Sequence, residues 1–300
     1  MSGATKSTDF AFEPKVWSDH IMAYFDDKLV YGAFALTNDE LKADGTGLSV
    51  NFPYYKAVGD AEEPEEDESL TVDNLSDDSF SATVFEVGKA IGVKKKAFKA
   101  SADKVEGILA EAQRQLARVH AEKVDAKLNT EITTSANYAL GFQAAAAADV
   151  MTVKNLLKAK VIAFGDKHDE SVICFMHSLQ WLDMMSQDAN GFLKADANDP
   201  MSAIKGFMGR IFGMAIVVVD SCKKNISGSQ IDSKDNYLAH FHKVNSYGIM
   251  WKQDMEMDED KDILARQRLY TSNQWYAVKS FHGKVSALDK KAGAMVTTIS

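Results

Sequence analysis

Two histidines, His240 and His242, stand two residues apart in Tyr237–Val244, a stretch suited to a β-strand. That spacing puts both imidazoles on one face of a strand, a workable separation for a pair of metal ligands. No third ligand follows at a recognisable spacing. The plainer expectation is two polar residues on the solvated side of a sheet, dispensable for function. Asp166, His168, Asp169 and Glu170 form a second group of donors, and a charged helix-to-strand loop accounts for them without a cation. Cys174 and Cys222 are the only cysteines; each lies in or beside an apolar run and reads as a small buried hydrophobe. Two cysteines are too few for a disulfide framework and fit a reducing compartment. The chain has no dinucleotide-binding or Walker loop, no nucleophile elbow and no H-E-x-x-H zinc helix. These residues predict no catalytic role, no cofactor and no metal.

The strongest local signal is charge. Between Lys56 and Lys89 there are eleven acidic residues and no Lys or Arg. Seven of them fall within residues 60–68: Asp60, Glu62, Glu63, Glu65, Glu66, Asp67 and Glu68. The whole chain carries −9, residues 57–88 carry −11, and the remainder therefore sums to +2. The acidity is a local device, and the near-neutral body argues against a dedicated nucleic-acid binder. The run lacks the alternating ligand order of a calcium loop. Strand-like stretches flank it, Leu48–Tyr55 and Ser81–Val93, and the second leads into Lys94, Lys95 and Lys96. This reads as a long hairpin with an acidic tip and a basic root, reaching for a neighbour. Assembly is predicted rather than catalysis.

The elements around the hairpin are of two kinds. Residues 1–45 read as an arm with an amphipathic piece around Val16–Phe34 and no home of its own. A long helix opens at Ser101, with Asp103 in its first turn. Val105, Leu109, Ala112, Leu116 and Val119 form its apolar stripe, continued by Val124 and Leu128, while Glu106, Arg114, Gln115, Lys123 and Asp125 face solvent. Such a helix would run roughly 45 Å at ~1.5 Å per residue, laid across a sheet. From about Ala148 the texture turns to compact α/β. A helix spans Val150–Phe164 and buried strands are expected at Ser171–Met176, Met214–Val219 and Tyr237–Val244. Ser178 caps a helix whose apolar face is Leu179, Leu182 and Met185. The tail returns to extended segments, notably Leu269–Phe281, with Met255–Asp262 as a charged turn. No N-terminal stretch has the order of a signal peptide, and no apolar run approaches ~18 residues.

Five segments, in this order, resemble the major capsid proteins of tailed bacteriophages, which have the Hong Kong 97-type fold. Gly47-Leu-Ser-Val-Asn-Phe-Pro-Tyr-Tyr-Lys, the acidic loop and Phe85-Glu-Val-Gly-Lys-Ala-Ile look like that family's extended loop. The helix from Ser101 is similar to its spine helix. Phe175-Met-His-Ser-Leu-Gln-Trp-Leu-Asp-Met and Ile211-Phe-Gly-Met-Ala-Ile-Val-Val-Val-Asp resemble passages of its axial domain. Asp260-Lys-Asp-Ile-Leu-Ala-Arg and Asn273-Gln-Trp-Tyr-Ala-Val look like the closing strands of its peripheral domain. The resemblance implies an α+β chain divided into an arm (1–45), extended loop (46–94), spine helix and peripheral domain (95–147), axial domain (148–248) and peripheral closing strands (249–300). It further implies a non-enzymatic coat protein that forms hexamers and pentamers, tiled into an icosahedral head around double-stranded DNA. Separate scaffold, portal and decoration proteins are the implied partners, with the virion capsid as location and the host cytoplasm as the place of assembly; no membrane is involved. A cellular nanocompartment shell would share this fold, and a metal-dependent α/β enzyme is suggested only by the histidine pair. The chain starts at a short arm, so no fused scaffold is expected. No lysine–asparagine pair matches a cross-linking motif.

Overall fold

The computed structural model describes residues 29–39, 47–55, 61–63, 69–70, 72–96, 105–146, 148–165, 172–187, 192–194, 206–225, 230–243, 245–281 and 292–299. Along them run β1 (Leu36–Asn38), β2 (Ser49–Tyr55), β3 (Asp77–Thr83), β4 (Phe85–Lys94), α1 (Val105–Ile132), β5 (Ala139–Gln143) and α2 (Val153–Phe164). Then come β6 (Val172–Met176), α3 (Ser178–Gln187), β7 (Phe192–Lys194), β8 (Phe207–Ile211), β9 (Met214–Val218), β10 (Asn236–Lys243), β11 (Tyr247–Asp262), β12 (Gln267–Ser280) and β13 (Ala292–Thr298). They form a two-stranded ribbon β2-β3, a four-stranded sheet β1-β11-β12-β4 and a seven-stranded sheet β5-β13-β10-β6-β9-β8-β7.

The long helix α1 lies on the four-stranded sheet, as its stripe predicts, but the stripe takes a different path. Leu116, His120, Val124, Leu128 and Ile132 are all buried, an unbroken row of steps of four flanked by Ala112, Ala117 and Ala121. Each such step turns the row by about 40°, so the buried surface winds around the helix. Val119, placed on the stripe by a step of three, is 40% exposed. Asp125, expected in solvent, is half-buried instead, and Asn129 Nδ2 donates to the Ser221 carbonyl at 2.6 Å. The helix start at Ser101 and Asp103 and the side chains of Val105 and Leu109 lie outside the described residues.

The seven-stranded sheet is covered on both faces, which is why its central strands carry unbroken apolar runs. In β6, Val172, Cys174 and Met176 face α2 and α3, while Ile173 and Phe175 face a second core shared with α1, Tyr247, Ile249 and Tyr276. That second core joins the two larger sheets. The helix α2 is capped by Thr152 Oγ1, which accepts from the Asn155 amide at 3.1 Å, and rests directly on β5 at Gly141. Any side chain at Gly141 would collide with the Ala159 backbone, so the close approach needs glycine. Capping of α3 falls to His177 rather than Ser178. His177 Nδ1 accepts from the Leu179 amide at 3.2 Å, and Gln180 Oε1 accepts from the His177 amide at 3.0 Å. This reciprocal arrangement rotates α3 so that Gln180, Asp183 and Met184 are buried while Leu179 and Leu182, expected inside, are exposed.

Three other expectations change. The Ser81–Val93 stretch breaks at Val84: β3 pairs with β2 and β4 with β12, in different sheets. Met255–Asp262 is not a turn but the second half of the sixteen-residue strand β11. The closing strand β13 pairs with β10 and β5 inside the seven-stranded sheet, so the tail does not all return to the sheet of β11 and β12. Burial of the winding row makes a direct prediction. Leu116→Ala should cost the subunit about 2–5 kcal/mol through lost transfer energy and a residual cavity. Val119→Ala should stay within ~0.5 kcal/mol. Equal shifts of the two in thermal denaturation would mean the row is misplaced.

Candidate functional site

The ribbon of β2 and β3 pairs from Ser49 opposite Thr83 to Tyr55 opposite Asp77. Its alternate residues Val50, Phe52, Phe80 and Ala82, with Val84, bury against Met250, Ala277 and Phe281. The rings of Phe52 and Phe80 sit 5.1 and 5.5 Å from that of Phe281. Lys252 Nζ donates to the Gly47 carbonyl at 2.7 Å and ties down the entry to the ribbon. The root is therefore fixed. Beyond it, Tyr55, Leu70, Val72 and Leu75 are 71, 62, 83 and 68% exposed. Glu62 and Glu63 are exposed as well, whereas Asp60, Glu65, Glu66, Asp67 and Glu68 lie outside the described residues. Acid and aliphatic groups thus share one projecting segment, and the aliphatic part was not read from the sequence.

Lys94, Lys95 and Lys96 are all exposed but do not form the root of this hairpin. From Phe85 opposite Tyr276, β4 runs to Lys94 opposite Gln267. Ten residues at ~3.3 Å place the lysines about 30 Å from the root, at the far end of the four-stranded sheet. There they adjoin the turn between β11 and β12, which Asp262 Oδ1 braces by accepting from the Ala265 amide at 2.9 Å. Lys95 donates its amide to the Arg266 carbonyl at 2.9 Å. This braced turn presents Ile263 and Leu264, 86 and 97% exposed.

A third locus lies where the two larger sheets meet. Residues 29–38, the end of the expected arm, are built into the body: Leu36–Asn38 pairs in parallel with β11, and Tyr31 is fully buried. Asp125 of α1 accepts from the Val30 amide at 2.8 Å and the Gly32 amide at 3.1 Å. Burial raises the Asp125 carboxyl to about 6, against the opposing effect of those amides. Tyr247 donates its hydroxyl to the Tyr31 carbonyl at 2.9 Å. The ring of Tyr31 packs on Phe175 at 4.7 Å and stacks on His240 at 5.7 Å.

His240 and His242 do share a face of β10, yet that face is the shared core and not the solvated side. They are 0 and 1% exposed, with His240 Nδ1 3.0 Å from His242 Nε2. Burial pushes His240 down to about 3, so it is neutral at ordinary pH. No three ligating side chains cluster to hold a metal among the described residues. Asp166, His168, Asp169 and Glu170 fall outside them. Cys174 and Cys222 are buried, and burial pushes the Cys222 thiol up to about 12. An unreactive thiol follows. No described helix is long and apolar enough to cross a membrane.

No known sequence family matches the chain, and no curated protein is similar to it in sequence. Its fold is another matter. The capsid of Ralstonia phage GP4 superimposes with a TM-score of 0.71 at 12% identity, covering 100% of this chain and 96% of that one. The head of Helicobacter pylori bacteriophage KHP40 gives 0.66 at 13% identity, with 91% of each chain covered. The cyanophage Pam1 capsid gives 0.65 at 13% identity, over 99% of this chain and 97% of that one. The fold is the Hong Kong 97 type.

The histidine pair generates a prediction with a definite sign. His240 is lowered in the folded state, so the unfolded chain binds the extra proton first as pH falls below ~6.5. Its contribution to stability is present above that pH and is lost progressively on acidification. The melting temperature should therefore drop from pH 7 to pH 4, and His240→Phe, which keeps a ring, should remove part of that drop. An unchanged slope would show that His240 is not the group responsible.

Proposed function

We propose that this chain is the major capsid protein of a tailed bacteriophage, self-assembling through hexamers and pentamers into an icosahedral head around double-stranded DNA. The observation that carries the reading is a Hong Kong 97-type fold along the whole chain whose anchored ribbon ends in exposed aliphatic and acidic residues. A monomer gains nothing from Leu70, Val72 and Leu75 in water; a neighbour that covers them does. In a closed lattice each subunit repeats the same contact, so modest contacts add up. A body of net +2 outside residues 57–88 suits a container that holds nucleic acid without gripping it. No catalytic step is assigned. Scaffold, portal and decoration proteins would be separate chains, and assembly would take place in the host cytoplasm. Electron microscopy of the full chain expressed alone should show shells, tubes or capsomers; a monodisperse monomer at high concentration would overturn the reading. Particles filled with protein cargo instead of nucleic acid would point to a cellular compartment.

Within this reading, the acidic loop of one subunit meets Lys94–Lys96 of another. The lysines lie about 30 Å along β4 from the root of the ribbon that carries the loop, which favours contact between copies over contact within one. Exposed ion pairs contribute only ~0–1 kcal/mol each and are screened by salt, so the contact sets register more than adhesion. Changing Glu62, Glu63, Glu65 and Glu66 together to Gln should reduce particle yield while leaving the monomer's melting temperature in place. Normal yield at physiological salt would sink the pairing.

A further inference from the structure

Tyr31 is held from two sides by groups that answer protons in opposite senses. On one side is Asp125, whose carboxylate takes the amides of Val30 and Gly32, the residues on either side of Tyr31. On the other is the His240 ring, stacked on the tyrosine at an interplanar angle of 22°. Between them pass the only described residues of the chain's first 35, Leu29–Ala35, which lead into β1. We propose that Asp125 and His240 form a two-sided protonation latch on the root of the N-terminal arm, the carboxyl side tightening on acidification and the imidazole side loosening.

The senses follow from what each group gains when the root leaves. Undocking residues 30–32 returns Asp125 to water, where a carboxyl ordinarily titrates near 4; docked, burial raises it to about 6. The docked root therefore holds that proton more tightly, and mild acid favours docking. His240 behaves the other way. Docked, it is sealed under Tyr31 and disfavours a proton; exposed by the departing ring, it accepts one, and mild acid favours undocking. The two effects oppose each other between about pH 4 and 6, so the hold on the arm root is buffered against pH while both are present.

Tyr247 of β11 and Tyr276 of β12 face Asp125, and Cys222 lies beside Tyr31; all three, like Tyr31, are raised by burial and stay neutral across this range. His242 of β10 shares its hydrogen bond with His240 and packs on Tyr247 at 5.2 Å. On α1 itself Glu122 is exposed and paired with Arg118, and Lys127 sits over the Phe85 ring.

Hydrogen exchange of the peptide covering residues 29–35, in the full chain and corrected for intrinsic exchange, tests the latch between pH 4.5 and 7.5. In His240→Phe only the carboxyl side titrates, and protection should rise severalfold to tenfold on acidification. In Asp125→Asn only the imidazole side remains, and protection should fall on acidification. Wild type should lie between, with the flattest profile. Slopes of the same sign in both variants, or flat profiles in both, would overturn the proposal. Should Asp125→Asn fail to fold, Tyr247→Phe serves as the second arm. It removes the hydroxyl bond to Tyr31 and should weaken protection without changing the wild-type slope; a changed slope would implicate other groups and reject the assignment.

Discussion

One shared apolar core joins α1, the four-stranded sheet and one face of the seven-stranded sheet, which bury their side chains against one another in it. Ala121, Val124, Leu128 and Ile132 of the helix meet Phe175 and Val217 from one sheet and Ile249, Met255 and Tyr276 from the other. Neither larger sheet has a private core on that side. Burial on this scale is the dominant favourable term in folding, at ~25 cal/mol for each Å² of apolar surface removed from water. The orientation of the two sheets is therefore part of the folded state and not a loose hinge. That rigidity suits the shell-forming role proposed here, because a lattice repeats whatever geometry its subunit holds.

The same constraint explains the buried polar groups. A core shared by three elements has few places from which water can reach, yet the chain must pass through it at residues 29–35. Backbone amides entering such a place need acceptors. Asp125 supplies them at the cost of a buried carboxylate, and Tyr247 satisfies the carbonyl between them. His240, neutral at ordinary pH, and His242 fill the remaining space with rings joined by one hydrogen bond. His120 plays a similar part between α1 and β12, with Nε2 2.8 Å from Ser272 Oγ. These polar residues let a connecting segment and a helix pack closely.

What the core leaves outside is as ordered in its logic. The ribbon of β2 and β3 buries its alternate residues at its own root, and the described residues farther out, 61–63, 69–70 and 72–76, are exposed. The braced turn at Ile263 and Leu264 and the outer side of α3 at Leu179 and Leu182 likewise present aliphatic groups on fixed supports. Scattered exposed apolar residues are ordinary on any protein. Here they recur on hydrogen-bonded supports, the turn braced by Asp262 and the helix capped by His177, as well as beyond the ribbon.

Read alone, the sequence determined the elements whose signal is local. Periodicity is a property of consecutive residues, so the long helix and the buried strands β6, β9 and β10 were legible, as were the two buried cysteines and the acidic loop between strands. The order of five weakly matching segments also pointed to the fold that the solved capsids share. What needed the tertiary structure was every assignment that depends on which neighbour covers a face. Spacing showed that His240 and His242 share one side of a strand but not that a second core lies against it. It could not place Val119 outside, because the row that buries Leu116 and Val124 is set by two sheets arriving from different directions. It could not see that Asp125 would serve the amides of residues 30 and 32, nearly a hundred positions away, or that β13 would join β10. A side chain's environment is made by residues distant in the chain, and only the folded arrangement brings them together.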